Sequence, residues 1–206
     1  MKPRFIAVAG SIGSGKSTLI GFLQQRFGMH PFYERNEDNP FLGDFYRDMP
    51  AYAFSSQVWF LARKFKAHRE IGHFDLPAVL DRTIYEDAEV FAAYLAQRGH
   101  FPHREYETYL ALYHTIREAL PPPQLLIYLK SSVRTQRRRI ALRGRPMERG
   151  LDLDYLRGLN RLYRAWIGRW QASPVLVIDA DRLDFVADLA HQADLLTALR
   201  RQLGST

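Results

Sequence analysis

Chemistry is concentrated first in Gly10, Ser11, Ile12, Gly13, Ser14, Gly15, Lys16, Ser17 and Thr18, which together read G-x-x-x-x-G-K-S-T. Glycines at this spacing let the backbone wrap so tightly that its N–H groups converge on phosphate oxygens. A helix starting at the end of such a loop adds free N–H donors and a favourable dipole. Lys16 is then placed to reach a transferable phosphate, and the Ser17 hydroxyl to ligate magnesium. Asp81 and Arg82 follow the apolar run Leu76-Pro77-Ala78-Val79-Leu80. In a protein with a phosphate loop, a carboxylate at a strand end commonly holds the magnesium, and an arginine beside it can steady a carboxylate or a phosphate. The alternative for Asp81 is a polar strand end that caps the next turn.

Charge is concentrated as well. The formal net charge is +7, and residues 130–149 carry all of it: Lys130 and Arg134, Arg137, Arg138, Arg139, Arg143, Arg145 and Arg149 against the single acid Glu148. The rest of the chain is balanced, so there is one basic element and not a basic surface. Beside a phosphate loop, one Arg-rich helix is expected to clamp a polyphosphate.

These residues need a scaffold that brings them together. Phe5-Ile6-Ala7-Val8-Ala9 reads as a buried strand, followed by a helix over Ser17–Phe27. His30–Tyr33 reads as a second strand ending at Glu34, Leu76–Leu80 as a third, Leu125–Leu129 as a fourth and Val175–Asp179 as a fifth. Helices are expected over Phe41–Arg47, Ala53–Ile71, Ile84–Arg98, Arg104–Leu120, the basic segment as far as Gly144, Leu153–Trp170 and Phe185–Leu203, from apolar spacing and from breakers such as Pro121-Pro122-Pro123. Short apolar strands alternating with helices predict an α/β fold, a five-stranded parallel sheet covered on both faces. Ligands of such sheets sit at the carboxyl ends of the strands. The loop after the first strand, Glu34, Asp81-Arg82 and the basic helix should therefore meet.

The chain has 206 residues, suiting a single domain (1–206), and no composition break suggests a second. No apolar run approaches the length of a membrane span. The N-terminus enters the first strand so directly that no signal peptide is expected. Cysteine is absent, which excludes disulfides, thiol nucleophiles and Cys-ligated zinc, and fits a cytoplasmic protein. The histidines show no metal spacing.

Taken together, the motifs resemble the deoxyribonucleoside kinase family over nearly the whole chain, bacterial deoxyadenosine kinases in particular. The resemblance rests on the phosphate loop Gly10–Thr18, on Glu34, on Tyr46 and Gln57 eleven residues apart, on Asp81-Arg82-Thr83-Ile84-Tyr85-Glu86-Asp87, and on Arg139-Ile-Ala-Leu-Arg143-Gly-Arg145-Pro-Met-Glu148. Asp81 and Thr83 stand where many members carry Glu and Ser. The resemblance implies a P-loop kinase fold with an Arg-rich helical lid at about 137–150. It also implies ATP- and Mg²⁺-dependent phosphorylation of a nucleoside 5′-hydroxyl, in deoxynucleotide salvage. Glu34 is then the general base, Arg82 its partner, Asp81 with Ser17 the metal ligands, and Lys16, Arg139, Arg143 and Arg145 the groups that neutralise phosphate charge. Tyr46 and Glu148 would bind the sugar 3′-hydroxyl. Gln57, Lys64 and Asp87 would read the base, since an acid at position 87 goes with purine or cytosine and argues against thymidine. Asp184 and Phe185 fall where the family packs the donor adenine, and Phe54, Trp59 and Phe91 are candidates to stack on the acceptor base. Deoxyadenosine is the expected substrate, with deoxyguanosine, deoxycytidine or a nucleoside monophosphate as alternatives. The implied assembly is a cytoplasmic homodimer without nucleic-acid or membrane partners. A guanine-reading switch should carry an N-K-x-D motif, which the chain lacks, and a DNA-binding role for the basic helix predicts steep salt dependence.

Overall fold

β1 (Phe5–Ala9) is buried along its whole length, because helices cover both faces of the sheet. Its side chains alternate as a strand's must: Ile6 and Val8 join the cluster that also holds Leu19, Ile20 and Leu23, whereas Ala7 and Ala9 face the larger cluster of Leu61, Tyr85, Tyr113, Leu159 and Tyr163. The computed structural model describes residues 5–148, 150–182 and 189–204.

β2 (His30–Phe32), β3 (Ala78–Asp81), β4 (Leu125–Lys130) and β5 (Val175–Asp179) complete a parallel sheet in the order β2-β3-β1-β4-β5. β2 is an edge strand, which is where Pro31 can be accommodated. From the central β1 the chain crosses to β2 on one side, and from β3 it crosses to β4 on the other. The crevice above β1 is therefore the topological switch point, the usual ligand site of an open parallel sheet. Register aims the chemistry there. Val8 pairs with Asp81 and Ala9 with Tyr128, so Asp81 is the last residue of β3 and stands beside the point where β1 gives way to the glycine loop.

The helices begin and end where local chemistry dictates. α1 (Lys16–Phe27) starts after Gly15 and stops at Gly28, both with positive φ. α2 (Leu42–Arg47) follows a 3₁₀ turn at Asn36–Asp38. α3 (Met49–Gly72) begins earlier than the apolar spacing indicates, because the Ala51 N–H donates to the Asp48 carboxylate at 3.2 Å and Pro50 suits a first turn. α4 (Ile84–Glu86) widens into a π-helical segment, Asp87–Ala92, before resuming as α5 (Ala93–Gln97). The sequence pattern predicts one uniform helix here. A change of pitch over six residues leaves too little periodicity to read, and such π segments often mark functional sites. α6 (His103–Glu118), α7 (Val133–Arg143), α8 (Leu153–Arg169) and α9 (Leu189–Gly204) follow. α7 is the basic helix. Ser132 caps its start, accepting from the Thr135 N–H at 3.2 Å, and Gly144 ends it in the left-handed region.

Candidate active site

The phosphate loop lies between β1 and α1 with α7 packed directly on it. At Gly13, φ is +74°, and a Cβ would stand 2.7 Å from the Gln136 carbonyl oxygen. The loop therefore needs glycine both for its conformation and for the approach of the basic helix. The Lys16 ammonium folds back on the loop, donating to the carbonyls of Gly10 at 2.9 Å and Ser11 at 3.2 Å. Burial, then Arg82, pull it down to about 8, against Asp81, Glu86 and Glu34.

On the acceptor side the expected residues meet in one cleft, which Lys16, Glu34, Tyr46, Gln57, Asp81 and Arg82 line with Asp87, Arg143, Arg145 and Glu148. Glu34 follows the edge strand β2, and its carboxylate accepts from Arg82 at 2.5 Å and from Lys64 at 2.5 Å. Burial opposes its charge, but the two cations outweigh burial and bring it down to about 2. Arg82 is the one non-glycine residue among those described with positive φ, at +64°. A side-chain-bearing residue there costs about 1–3 kcal/mol, and the cost accompanies a guanidinium set against Glu34 and 4.6 Å from the centre of the Phe91 ring. Lys64 also ion-pairs with Asp87 at 3.1 Å. Burial pushes the Asp87 carboxyl up to about 6 despite that cation.

Tyr46 and Glu148 both line the cleft, and desolvation followed by the Glu148 charge raises the Tyr46 hydroxyl to about 12. Gln57 is buried, and its Oε1 has no hydrogen-bond partner among the described residues. Of the aromatic candidates, Phe91 lines the cleft. Phe54 packs on Phe101 at 6.2 Å, and Trp59 lies against Phe60 and Arg63. Helical phase explains the exchange: Phe60, three residues after Gln57, shares its side of α3, whereas Trp59 is turned away.

The lid arginines divide between two clefts. Arg139 lies over the loop, donating to the Ser14 carbonyl at 2.6 Å and the Ala180 carbonyl at 3.1 Å. Arg143 donates to Glu148 and lines both clefts; Arg145 reaches Glu37 at 2.6 Å and Glu148 at 3.7 Å. The second cleft runs beside the loop along Arg138, Arg139, Ala180, Asp181 and Arg182. Asp184 and Phe185 lie outside the described residues.

A magnesium ion fits the donors present. Asp81 is buried, its Oδ1 has no hydrogen-bond partner among the described residues, and burial raises its carboxyl above the ordinary range. Ser17 is exposed at the start of α1. Oxygen donors few in number suit magnesium, which usually keeps waters and takes phosphate oxygens as further ligands. No group of three or more His, Cys, Asp or Glu that could hold a metal ion occurs among the described residues.

Two further buried residues have no role assigned by the motifs, although Glu86 lies within one of them. Glu86 is fully buried beneath the loop, where it accepts from the Gly10 N–H at 3.2 Å and from the Tyr163 hydroxyl at 2.7 Å. Burial pushes it up to about 7. Its position three residues after Thr83 was a legible helix-start signal, and the Thr83 N–H does donate to Glu86 Oε2 at 3.2 Å. Tyr163 comes from α8, far away in sequence, and carries no local signal.

The raised carboxyls give a pH prediction. Glu86 and Asp87 bind a proton more tightly folded than unfolded, so their contribution to stability falls as pH rises through about 6 and about 7. Glu34 acts in the opposite sense, and its contribution is lost only as pH falls toward about 2. We expect thermal melts of the protein without added ligand to show stability declining from about pH 4 to about pH 7, and Glu86→Gln to flatten that decline. An unchanged slope in the variant would mean that Glu86 ionises in the folded chain as readily as in the unfolded one.

Comparison with known proteins bears on the family and the fold. Residues 6–203 match the family model described as deoxynucleoside kinase. A deoxyguanosine kinase of Lactobacillus acidophilus is 39% identical over 93% of this chain and 87% of its own length. A deoxyadenosine/deoxycytidine kinase of Bacillus subtilis is 35% identical over 91% of this chain and 87% of its own. The solved structure of a deoxyadenosine kinase from M. mycoides, with the products dCMP and a flexible dCDP bound, superposes with a TM-score of 0.84 at 27% identity, covering 98% of this chain and 100% of that one.

Proposed function

The chain belongs to the deoxynucleoside kinase family, and from that premise we propose that it transfers the terminal phosphoryl group of ATP to the 5′-hydroxyl of deoxyadenosine. The observation that carries the proposal is the meeting, in one cleft, of the loop lysine with the Glu34–Arg82 pair and with Gln57 and Asp87. The first two set up phosphoryl transfer and the last two set up recognition of a base.

In this mechanism Glu34 accepts a hydrogen bond from the 5′-hydroxyl and takes its proton as the oxygen–phosphorus bond forms. Arg82, fixed by its backbone and by Glu34, keeps that oxygen in line with the phosphate loop. Lys16 leaves the Gly10 and Ser11 carbonyls for the phosphates, and Arg139, Arg143 and Arg145 neutralise charge that builds up during transfer. Magnesium, held through Ser17 and Asp81, would supply Lewis-acid stabilisation of phosphate charge. Tyr46 and Glu148 take the sugar 3′-hydroxyl. Asp184 and Phe185 belong to the donor-adenine region by resemblance.

The base assignment follows from hydrogen-bond inventory. A Gln amide can accept from N6 and donate to N7 of adenine, whereas guanine offers two acceptors on that edge. Asp87 adds a further acceptor, and the Lys64 ammonium, which would favour the guanine oxygen, is already engaged by Glu34 and Asp87. A second proposal, deoxyguanosine, draws on the Lactobacillus relatives so named at 39% and 37% identity. Deoxycytidine stays in view because the M. mycoides enzyme was solved with dCMP. We expect kcat/KM for deoxyadenosine to exceed that for deoxyguanosine by about 10-fold or more, with thymidine lowest, as one mispaired polar contact is worth about 1–3 kcal/mol. A panel of the four deoxynucleosides with ATP–Mg²⁺ measures it, and deoxyguanosine turned over fastest would overturn the adenine assignment. The homodimer and the cytoplasmic location are likewise proposals. The dimer draws on the family resemblance, and a chain without cysteine is compatible with a reducing compartment. No helix among the described residues is long and apolar enough to cross a membrane.

A further inference from the structure

Gly10, the first residue of the phosphate loop, is gripped through both of its backbone polar groups. Its N–H donates to Glu86 Oε1 at 3.2 Å. Its carbonyl accepts from Lys16 at 2.9 Å and lies 3.0 Å from the Tyr163 hydroxyl. The position leaves no room for a side chain, since at φ +152° a Cβ would stand 2.7 Å from Ser14 Oγ and 2.9 Å from the Leu129 carbonyl oxygen. Glu86 is 0% exposed and shares its carboxylate among three elements: Gly10 of the loop, the Thr83 N–H that opens α4, and Tyr163 of α8. Its Oε1 is also 3.9 Å from Arg82 Nε. A carboxylate withdrawn this completely from water is costly unless its hydrogen bonds are made, and none of the steps proposed above consumes it.

We infer that Glu86 is a positioning residue of phosphoryl transfer: with Tyr163 it locks Gly10 of the donor loop and Arg82 of the acceptor side into one frame. The geometry explains why a single group can do this. Arg82 and Thr83 precede the helix on which Glu86 sits, so Glu86 reaches back one turn to Arg82 and Thr83 and across the sheet to Gly10. Tyr163 is fixed in turn by stacking on Tyr128, ring centroids 5.7 Å apart and interplanar angle 16°. The hydroxyl of Tyr163 carries one proton for two acceptors. With Glu86 ionised the proton goes to Glu86, and Lys16 satisfies the Gly10 carbonyl until it turns to the phosphates. The charged and titratable groups facing Glu86 are Arg82 on its own segment, Lys16 from the loop and α1, Tyr163 from α8 and Tyr128 from β4. Donor and acceptor sites are built on different strands, β1 and β3, so a group tying them together controls how closely the reacting atoms align. Misalignment of that kind lowers the rate of transfer more than it lowers binding.

The inference rests on the kinase activity but not on the choice of base, so it is tested with whichever deoxynucleoside the wild type turns over fastest. Glu86→Gln retains shape but presents an NH₂ to one of two N–H donors. Tyr163→Phe removes only the hydroxyl and keeps the stack. Each is expected to lower kcat about tenfold, with KM for ATP and for the nucleoside within about twofold of wild type. The double variant should lose little more than either single one, because the two act as a unit. Backbone amide exchange at Gly10, measured without substrates, should speed up in both variants. Wild-type kcat in either folded variant, or a lowered melting temperature with kcat and Gly10 exchange unchanged, would overturn the inference and leave Glu86 with a purely structural role.

Discussion

Glu34→Gln is expected to lower kcat by about 10²- to 10⁴-fold, the usual worth of a positioned proton acceptor, while KM for the nucleoside changes by about threefold or less. At first sight the carboxylate is a poor base, since Arg82 and Lys64 hold it at about 2. Phosphoryl transfer resolves the difficulty. Its transition state is loose, so the nucleophilic oxygen loses its proton late, once bonding to phosphorus has made it acidic. What the reaction asks of Glu34 is a fixed, ionised acceptor at the right place, and two cations at 2.5 Å provide that at every pH the enzyme meets. Glutamine preserves the size and one acceptor atom but cannot receive the proton. It also leaves Lys64 with Asp87 at 3.1 Å and Arg82 with Glu86 at 3.9 Å as their nearest remaining carboxylates. Breaking a buried pair costs about 3–5 kcal/mol, so the melting temperature should fall and kcat must be normalised to folded protein. A raised KM with kcat intact would show that Glu34 binds the nucleoside without taking its proton.

How far such a site is legible in a sequence depends on whether its parts are local. The phosphate loop is, because its geometry is contained in consecutive residues, Gly10 to Thr18, between a strand and a helix. The strands could be read because residues buried on both faces leave uninterrupted apolar runs such as Phe5–Ala9 and Leu125–Leu129. The parallel topology then brought Glu34, Asp81, Arg82 and the basic helix together without any contact being known. Less was legible where the cause is three-dimensional. Tyr163 matters through an approach across 153 residues to the Gly10 carbonyl. The positive φ of Arg82 is imposed by its surroundings on a residue type that gives no hint of it. Trp59 and Phe60 are adjacent aromatics, and only the phase of α3 decides which faces the cleft. Which carboxylates Arg145 meets, Glu37 across 108 residues as well as the nearby Glu148, is likewise decided only in three dimensions.

Gln57→Leu should separate stability from function. The Gln57 side chain is buried, with its carbonyl oxygen unpartnered among the described residues, and a buried acceptor left unsatisfied costs about 1–3 kcal/mol. Leucine fills nearly the same space without that penalty. The ligand-free variant is therefore expected to melt at or above the wild-type temperature. Activity should move the other way. If the amide pairs with the adenine edge, its loss removes about 1–3 kcal/mol of transition-state binding, so kcat/KM for deoxyadenosine should drop by roughly 5- to 150-fold. Thymidine, whose base never used that pairing, should be affected less, so the variant also discriminates less. An unsatisfied polar group kept in a core at a cost to stability is what a site awaiting a ligand looks like. A fall in melting temperature with unaltered kcat/KM would assign Gln57 to packing instead, and the base would have to be read by Asp87 and Lys64 alone.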